Sequence, residues 1–400
     1  LKKLHRPDLG TFVFRAPLAE MVDIPIRKGD SLRWDRTYQF SPNRVEWLLS
    51  LLSVLQRGEA PVWLTDIDGT EKKSGPTPVS PLMAKLVAHA LRSRAPIGKL
   101  TGGAQKVVER LDARPIRKAL GKRNERFMKF MPIQAVAGSR TVVYNPKTSS
   151  YEFVSGIDLR DLLGEEGFRQ FEAIIQDAVF NYKVDGMTLA ERNRKYHFNG
   201  NKNSGFYGSA LDDREAGYTV AVTGIDTPQA EIARFRKTPG KESNGPWADY
   251  IEEQLKQAFE RRGVKFNVRL GSEYQIDITI FGWNKGKAIM EMSELTEKPL
   301  WAFRFSGDNI TVTRDGNPGN DTNGAEVVEA SLNMDAGVTP ELEGKTVITA
   351  SEDGGEDGMA PYVMIYAELY RQLVPREMKD FDQRLTRGAK RKVTEMKKWT

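Results

Sequence analysis

Pro61-Val62-Trp63-Leu64-Thr65 runs directly into Asp66-Ile67-Asp68-Gly69-Thr70. The first five residues are a short apolar run, the pattern of a buried strand, and the next five are a polar loop at its end. Two carboxylates two residues apart, just past such a strand, converge on one point. One of them can bind a cation and attack an electrophile while the other handles protons. Gly69 permits the tight backbone path. The bland alternative is an Asp-rich turn with a glycine, a common local pattern.

The same design recurs on either side. Ser41-Pro42-Asn43 opens a helical pattern with Trp47, Leu48, Leu51, Leu52 and Leu55 at helical spacing. A helix is expected from about 81 to 92, then a strand over 96–100 that ends at Thr101-Gly102-Gly103, then a helix over about 104–111. Residues 142–144 and 151–154 flank Asn145-Pro146-Lys147-Thr148 as a hairpin. Further on come helices over 157–183 and 247–262, and strands over 218–222, 264–270, 274–280, 300–305 and 346–349. Apolar strands whose carboxyl ends deliver Asp, Thr or Gly, each followed by a helix, describe a doubly wound α/β domain. Its site lies at the carboxyl edge of the sheet. The stretch of roughly 156–280 reads as a β-rich insertion with its own helices.

Composition narrows the chemistry. The chain has 400 residues, no cysteine and three histidines (His5, His89, His197). Thiol catalysis, disulfides, iron–sulfur clusters and His-rich metal sites are therefore excluded, and a divalent ion would need hard oxygen ligands. No apolar run is long enough to span a membrane, and nothing at the start reads as a secretory signal, so a cytoplasmic location is expected. Leu1 in place of Met leaves an upstream piece open. The net charge of +6 hides a polarised chain: residues 85–129 carry 13 Lys/Arg against 3 Asp/Glu, residues 291–358 carry 4 against 15, and residues 376–400 carry 9 against 4. Basic stretches suit phosphate-bearing partners, nucleic acid among them, or are solvated helix faces.

On its motifs the sequence resembles the haloacid dehalogenase (HAD) superfamily of phosphohydrolases. The first motif of that family is Asp-x-Asp-Gly-Thr after an apolar strand, as in Asp66–Thr70. The second is a Thr or Ser ending the next strand, matched by Thr101-Gly102, with Gly103 where many relatives have Arg. The third is a Lys, often in Lys-Gly-x-Ala, matched by Lys285-Gly286-Lys287-Ala288; Gly282-Trp283-Asn284-Lys285 is similar to the corresponding stretch of phosphomannomutases. The fourth is Gly-Asp followed by Asn-Asp, matched by Gly307-Asp308 and Gly319-Asn320-Asp321 with a longer gap than usual, so that Asp315 rivals Asp321 as the second ligand. The resemblance covers about 62–370.

The resemblance implies a Rossmann-like HAD core with an α+β cap inserted between the second and third motifs. The expected division is an N-terminal extension with a helix (1–60), core (61–155), cap (156–280), core (281–375) and a basic C-terminal tail (376–400). It implies a Mg²⁺-dependent phosphatase acting through an aspartyl-phosphate. Asp66 would be the nucleophile, Asp68 the acid and base, and Lys285 and Thr101 the groups that hold phosphate oxygens. The metal would sit among Asp66, Asp68, Asp308 and Asp321, and Gly102, Arg194, Lys195 and Asn320 would contact substrate. The expected partner is a small phosphorylated metabolite, such as a sugar phosphate. A hexose phosphomutase, a nucleotide or nucleic-acid phosphatase, and a non-enzymatic nucleic-acid binder are the alternatives. Oligomeric state is not readable. His197 reads as structural.

Overall fold

The computed structural model describes residues 4–6, 10–12, 42–68, 70–71, 77–197, 205–235, 237, 244–272, 274–310, 321–334, 342–350 and 359–396. A short antiparallel pair, β1 (Leu4–Arg6) and β2 (Gly10–Phe12), precedes helix α1 (Pro42–Gln56). The core sheet begins with β3 (Val62–Thr65), all four of whose residues are buried. Helix α2 (Pro81–Arg92) follows, capped by the Ser80 side chain and opened by Pro81, and leads into β4 (Ile97–Leu100). Next comes one continuous helical run: α3 (Gln105–Val108), a π-helical turn over Glu109–Ala113, and α4 (Arg114–Leu120). This helix extends well past the expected end near 111. Pro115 has no N–H to give the Leu111 carbonyl, which accepts the Val79 N–H at 3.0 Å instead, and the helix widens rather than stops. A 3₁₀ stretch, Lys122–Phe130, leads to β5 (Ile133–Ala135) and to the expected hairpin, β6 (Arg140–Asn145) and β7 (Ser150–Gly156).

The insertion comprises α5 (Leu159–Phe180), broken at Gly164, then α6 (Leu189–Lys195), β8 (Leu211–Asp213), β9 (Gly217–Ala221), α7 (Gln229–Phe235), α8 (Gly245–Phe259), β10 (Phe266–Ser272) and β11 (Gln275–Ile280). Its four strands form one antiparallel sheet in the order β10-β11-β9-β8. Tyr218, Val220, Ile276 and Ile278 point to one face of that sheet and bury against Phe168 and Phe171 of α5 and Leu255 of α8. The cap therefore has an apolar core of its own.

The chain then returns to the core through α9 (Lys285–Thr296), β12 (Phe303–Gly307), α10 (Thr322–Val327), β13 (Ala330–Asn333), β14 (Thr346–Thr349), α11 (Ala360–Gln372) and α12 (Phe381–Met396). Leu300–Ala302, expected as the start of a strand, make a 3₁₀ turn after Pro299. The core sheet has eight strands in the order β14-β13-β12-β3-β4-β5-β6-β7, parallel from β14 to β5 and antiparallel in the hairpin at the edge. Alternation along the strands feeds two helical layers. Trp63 and Arg304 face α1 and α11, meeting Trp47, Tyr366 and the Ser50 carbonyl, whereas Phe305 faces Gly324 of α10. Helices on both faces of a parallel sheet define a doubly wound α/β core. The basic segment after 376 supplies α12, which packs on α9 and places Phe381 and Leu385 in the core. Among the described residues no helix is long and apolar enough to cross a membrane.

Candidate active site

The strand order reverses between β3 and β12, and ligands of doubly wound sheets bind at the carboxyl ends on either side of such a switch point. Thr65 sits beside Ser306 of β12 and beside Lys99 of β4. Asp66, Thr101 and Asp308 are each the first residue past a strand, so sheet register alone brings three distant segments to one edge. The Asp66 N–H donates to the Ser306 carbonyl at 2.8 Å, which extends the ladder by one residue and fixes the start of the loop.

Lys285, the first residue of α9, supplies the centre. The Asn284 side chain caps that helix by accepting the Lys287 N–H. The Lys285 ammonium lies 2.9 Å from Asp66 Oδ1 and also donates to Asp321 Oδ1. Asp321 Oδ2 accepts the Asn309 N–H at 2.9 Å, tying the carboxylate to the segment that carries Asp308. Two glycines make this convergence possible. A Cβ on Gly307 would lie 2.5 Å from Asp321 Oδ2, and one on Gly286 would lie 2.4 Å from the Asn323 carbonyl oxygen. The Lys-Gly pair is thus read physically: the Lys enters the site and the Gly lets α9 close on α10.

Asp66, Asp308 and Asp321 present carboxylate oxygens within 4.8 Å of one another. Burial, joined by the Asp321 and Asp308 carboxylates, pushes the Asp66 pKa well above the usual aspartate range, against the pull of Lys285. Burial and then Asp321 push Asp308 up to about 7, again opposed by Lys285. Burial disfavours the Lys285 ammonium, but Asp321 and Asp66 outweigh it and raise its pKa above the ordinary lysine value. Only with all three carboxylates ionised would the cluster and its one ammonium carry a net charge of −2, and the raised Asp66 and Asp308 values express the cost of that charge in a largely buried place. The donor set is all hard oxygen and fits a divalent ion such as Mg²⁺.

The remaining expected residues divide. The Thr101 hydroxyl is buried and accepts the Gly103 N–H at 3.0 Å; the N-cap of α3 is Ala104, so Thr101 does not cap the helix. Gly102 is exposed beside it. Asp68 is half-buried and is not a member of the three-carboxylate group. Asn320 and Asp315 lie outside the described residues. Arg194 and Lys195 are exposed on α6, which packs on α5 in the helical layer of the cap. A cap residue that reaches the loop after β4 is Arg214. Its Nη1 donates to the Gly102 carbonyl at 2.9 Å, and its guanidinium is held by Asp212 at 3.0 Å and Asp277 at 3.5 Å. Thr219 donates to Asp277 at 2.6 Å, so the polar face of the cap sheet, opposite its helices, meets the core.

A second group escaped sequence reasoning altogether. Lys99 in β4 and Thr65 in β3 both donate to the carboxylate of Glu71, and all three side chains are fully buried. This ion pair anchors the far end of the loop that starts at Asp66. Its one sequence signal is a lysine inside an otherwise apolar strand.

No family model matches the chain, and no curated protein sequence matches it. Solved structures similar in fold include three hydrolases. The N-terminally truncated, IMP-bound IMP-nucleotidase of Plasmodium falciparum is 12% identical, with a TM-score of 0.42 and coverage of 81% of this chain and 72% of that one. A haloacid dehalogenase-like hydrolase from Bacteroides thetaiotaomicron is 12% identical, with a TM-score of 0.43 and coverage of 76% and 98%. The trehalose-6-phosphate phosphatase of Aspergillus fumigatus is 11% identical, with a TM-score of 0.42 and coverage of 81% and 97%. What the fold and site themselves define is a doubly wound α/β core with an α+β insertion and a lysine-bridged carboxylate centre at its switch point.

Proposed function

We propose that the chain is a phosphatase of the HAD type, hydrolysing a phosphate monoester of a small polar metabolite, a sugar phosphate being the first candidate. One observation carries the reading. The Lys285 ammonium bridges Asp66 and Asp321 beside Asp308, so residues from separate segments of the chain, matching the ordered motifs, meet at one point.

In this reading an Asp66 carboxylate oxygen attacks phosphorus in line with the ester oxygen. The P–O bond to the alcohol breaks, and Asp68 gives its proton to the departing oxygen. The resulting aspartyl-phosphate is opened by a water that loses its proton to Asp68, releasing phosphate and restoring Asp66. Lys285 and Thr101 hold the equatorial oxygens as charge redistributes, a role worth about 3 kcal/mol per donor elsewhere. Asp66, Asp308 and Asp321, with the Asp68 carbonyl, would hold Mg²⁺. When bound, that ion supplies positive charge that offsets repulsion between an anionic nucleophile and an anionic phosphate. Arg214 keeps the cap against the loop after β4 and leaves the cap sheet's polar face to sort substrates.

The test is phosphate release over a panel of hexose phosphates, nucleoside monophosphates and p-nitrophenyl phosphate. We expect turnover that EDTA abolishes and that Asp66→Asn lacks. Turnover undiminished in chelator contradicts the metal assignment. Isomerised sugar phosphate without free phosphate would convert the reading to a mutase.

A further inference from the structure

We infer that the protein carries a second, non-catalytic anion site, a cleft on the outer face of the α3–α4 helix that takes a compact phosphate polyanion such as pyrophosphate or a triphosphate. The cleft, of about 200 Å³, is lined by Lys106, Arg110, Arg114 and Arg117 from successive turns of the helix and is closed by Tyr144 and Tyr151 of the hairpin. None of Asp66, Thr101, Lys285, Asp308 and Asp321 lines it.

Four cations face the cleft against one lining carboxylate, Glu109, whose Oε1 is engaged by the Gln105 amide at 2.6 Å. Like charges four residues apart on a helix repel, so such a row is costly without an anion to share. Among the described residues Lys106, Arg110 and Arg114 have no ion-pair partner. Arg117 is instead oriented, by Glu125 Oε1 at 3.4 Å and the Ser149 carbonyl at 3.3 Å. The tyrosine rings stand edge to face at 5.5 Å, and their hydroxyls are already spent, Tyr151 on the Met131 carbonyl at 3.1 Å and Tyr144 on Glu125. They act as walls, leaving recognition to the cations.

A second observation lies in the backbone. The helix wall of this cleft is where the π-helical turn Glu109–Ala113 sits, and such turns concentrate at functional sites. The volume decides the ligand's size. Pockets for drug-sized molecules span about 300–1,000 Å³, so this smaller cleft suits a compact polyanion held by guanidinium forks. The basic excess of residues 85–129 thereby acquires a location, on the helix that begins just after Thr101-Gly102-Gly103.

Titration calorimetry of the full chain with inorganic tripolyphosphate, in metal-free buffer at low salt, tests this without requiring turnover. It therefore stands or falls separately from the phosphatase reading. The wild-type chain is expected to bind saturably, and Arg110→Gln with Arg114→Gln to weaken binding by about tenfold or more. Any phosphate-release activity and the melting temperature should be unchanged. Should that pair melt early, Lys106→Gln, an exposed single change, gives the same comparison. Absent saturable binding, or equal binding by wild type and variants, overturns the proposal. So does an RNA oligonucleotide that binds much more tightly than tripolyphosphate and loses that binding in the same variants, because the cleft would then be part of a nucleic-acid track.

Discussion

Lys285 neutralises part of a buried carboxylate cluster, and in the proposed reaction it would also hold a phosphate oxygen. Lys285→Met removes the ammonium while keeping the stem's volume. We expect kcat to fall by about 10²–10³, as for other lost oxyanion donors, with the fold retained in circular dichroism. The Glu71–Lys99 pair is a different case, since neither group reaches the cluster in the structure. Lys99→Met alone strands a buried carboxylate and should cost about 3–5 kcal/mol in denaturant unfolding. Combining it with Glu71→Leu should recover most of that loss, because an apolar pair of similar volume is often neutral. If the double change is as unstable as the single, the ion pair is not the reason for the loss. The charges were visible in the sequence, but their pairing across 28 residues was not. Nothing in a run such as Ile97-Gly98-Lys99-Leu100 tells which acid a buried lysine will meet.

At the scale of elements, legibility followed burial pattern. The strands at 62–65 and 97–100 are buried on both faces; the first is an unbroken apolar run, and the second stops at Thr101-Gly102-Gly103, so both were readable. β13, Ala-Ser-Leu-Asn, is equally buried but carries one large apolar side chain, too little to announce a strand. α11 buries eleven of its thirteen residues, so it has no polar stripe from which a helical period could be read. In the cap, Arg194 and Lys195 were expected to contact substrate, yet sequence does not tell which face of a sheet a helix covers. Arg214, between β8 and β9, crosses to the Gly102 carbonyl of the core, and its neighbour Glu215 pairs with Arg140 at 2.7 Å. Removing it with Arg214→Ala should raise KM several-fold for a bulky substrate and leave p-nitrophenyl phosphate turnover nearly unchanged; equal effects on both would place Arg214 in the chemistry instead. Gly286→Ala tests the contact between α9 and α10. A methyl 2.4 Å from the Asn323 carbonyl oxygen must push the helices apart, with an expected loss of about 1–3 kcal/mol.

Across the whole molecule, charge ties the layers as well as the site. Glu368 of α11 reaches His89 of α2 at 3.0 Å, and Arg371 and Gln372 each donate to it at 2.8 Å. Burial alone would raise its pKa, but these hydrogen bonds prevail and hold it at about 2, below the ordinary 4.5. A carboxylate depressed in the folded state contributes stability above its unfolded pKa and loses it as the pH falls toward the folded value. The melting temperature should therefore drop between about pH 4.5 and 2, and less steeply in Glu368→Gln; parallel profiles would refute this link. The polarity of the chain finds its structural counterpart here too. The acidic stretch supplies two of the three carboxylates at the switch point, Asp308 and Asp321, and the basic stretches line the α3–α4 cleft and build α12 on α9.

That one edge of the sheet gathers a nucleophile, a lysine and metal-binding carboxylates for phosphoryl transfer is tested most directly by chemical trapping. The protein, incubated with the best substrate of the panel and Mg²⁺, is quenched in acid and its peptides are examined by mass spectrometry. The prediction is a phosphoryl group on Asp66, absent in Asp66→Asn and absent when Mg²⁺ is withheld. Phosphate trapped on another residue, or turnover that survives in Asp66→Asn, would contradict it.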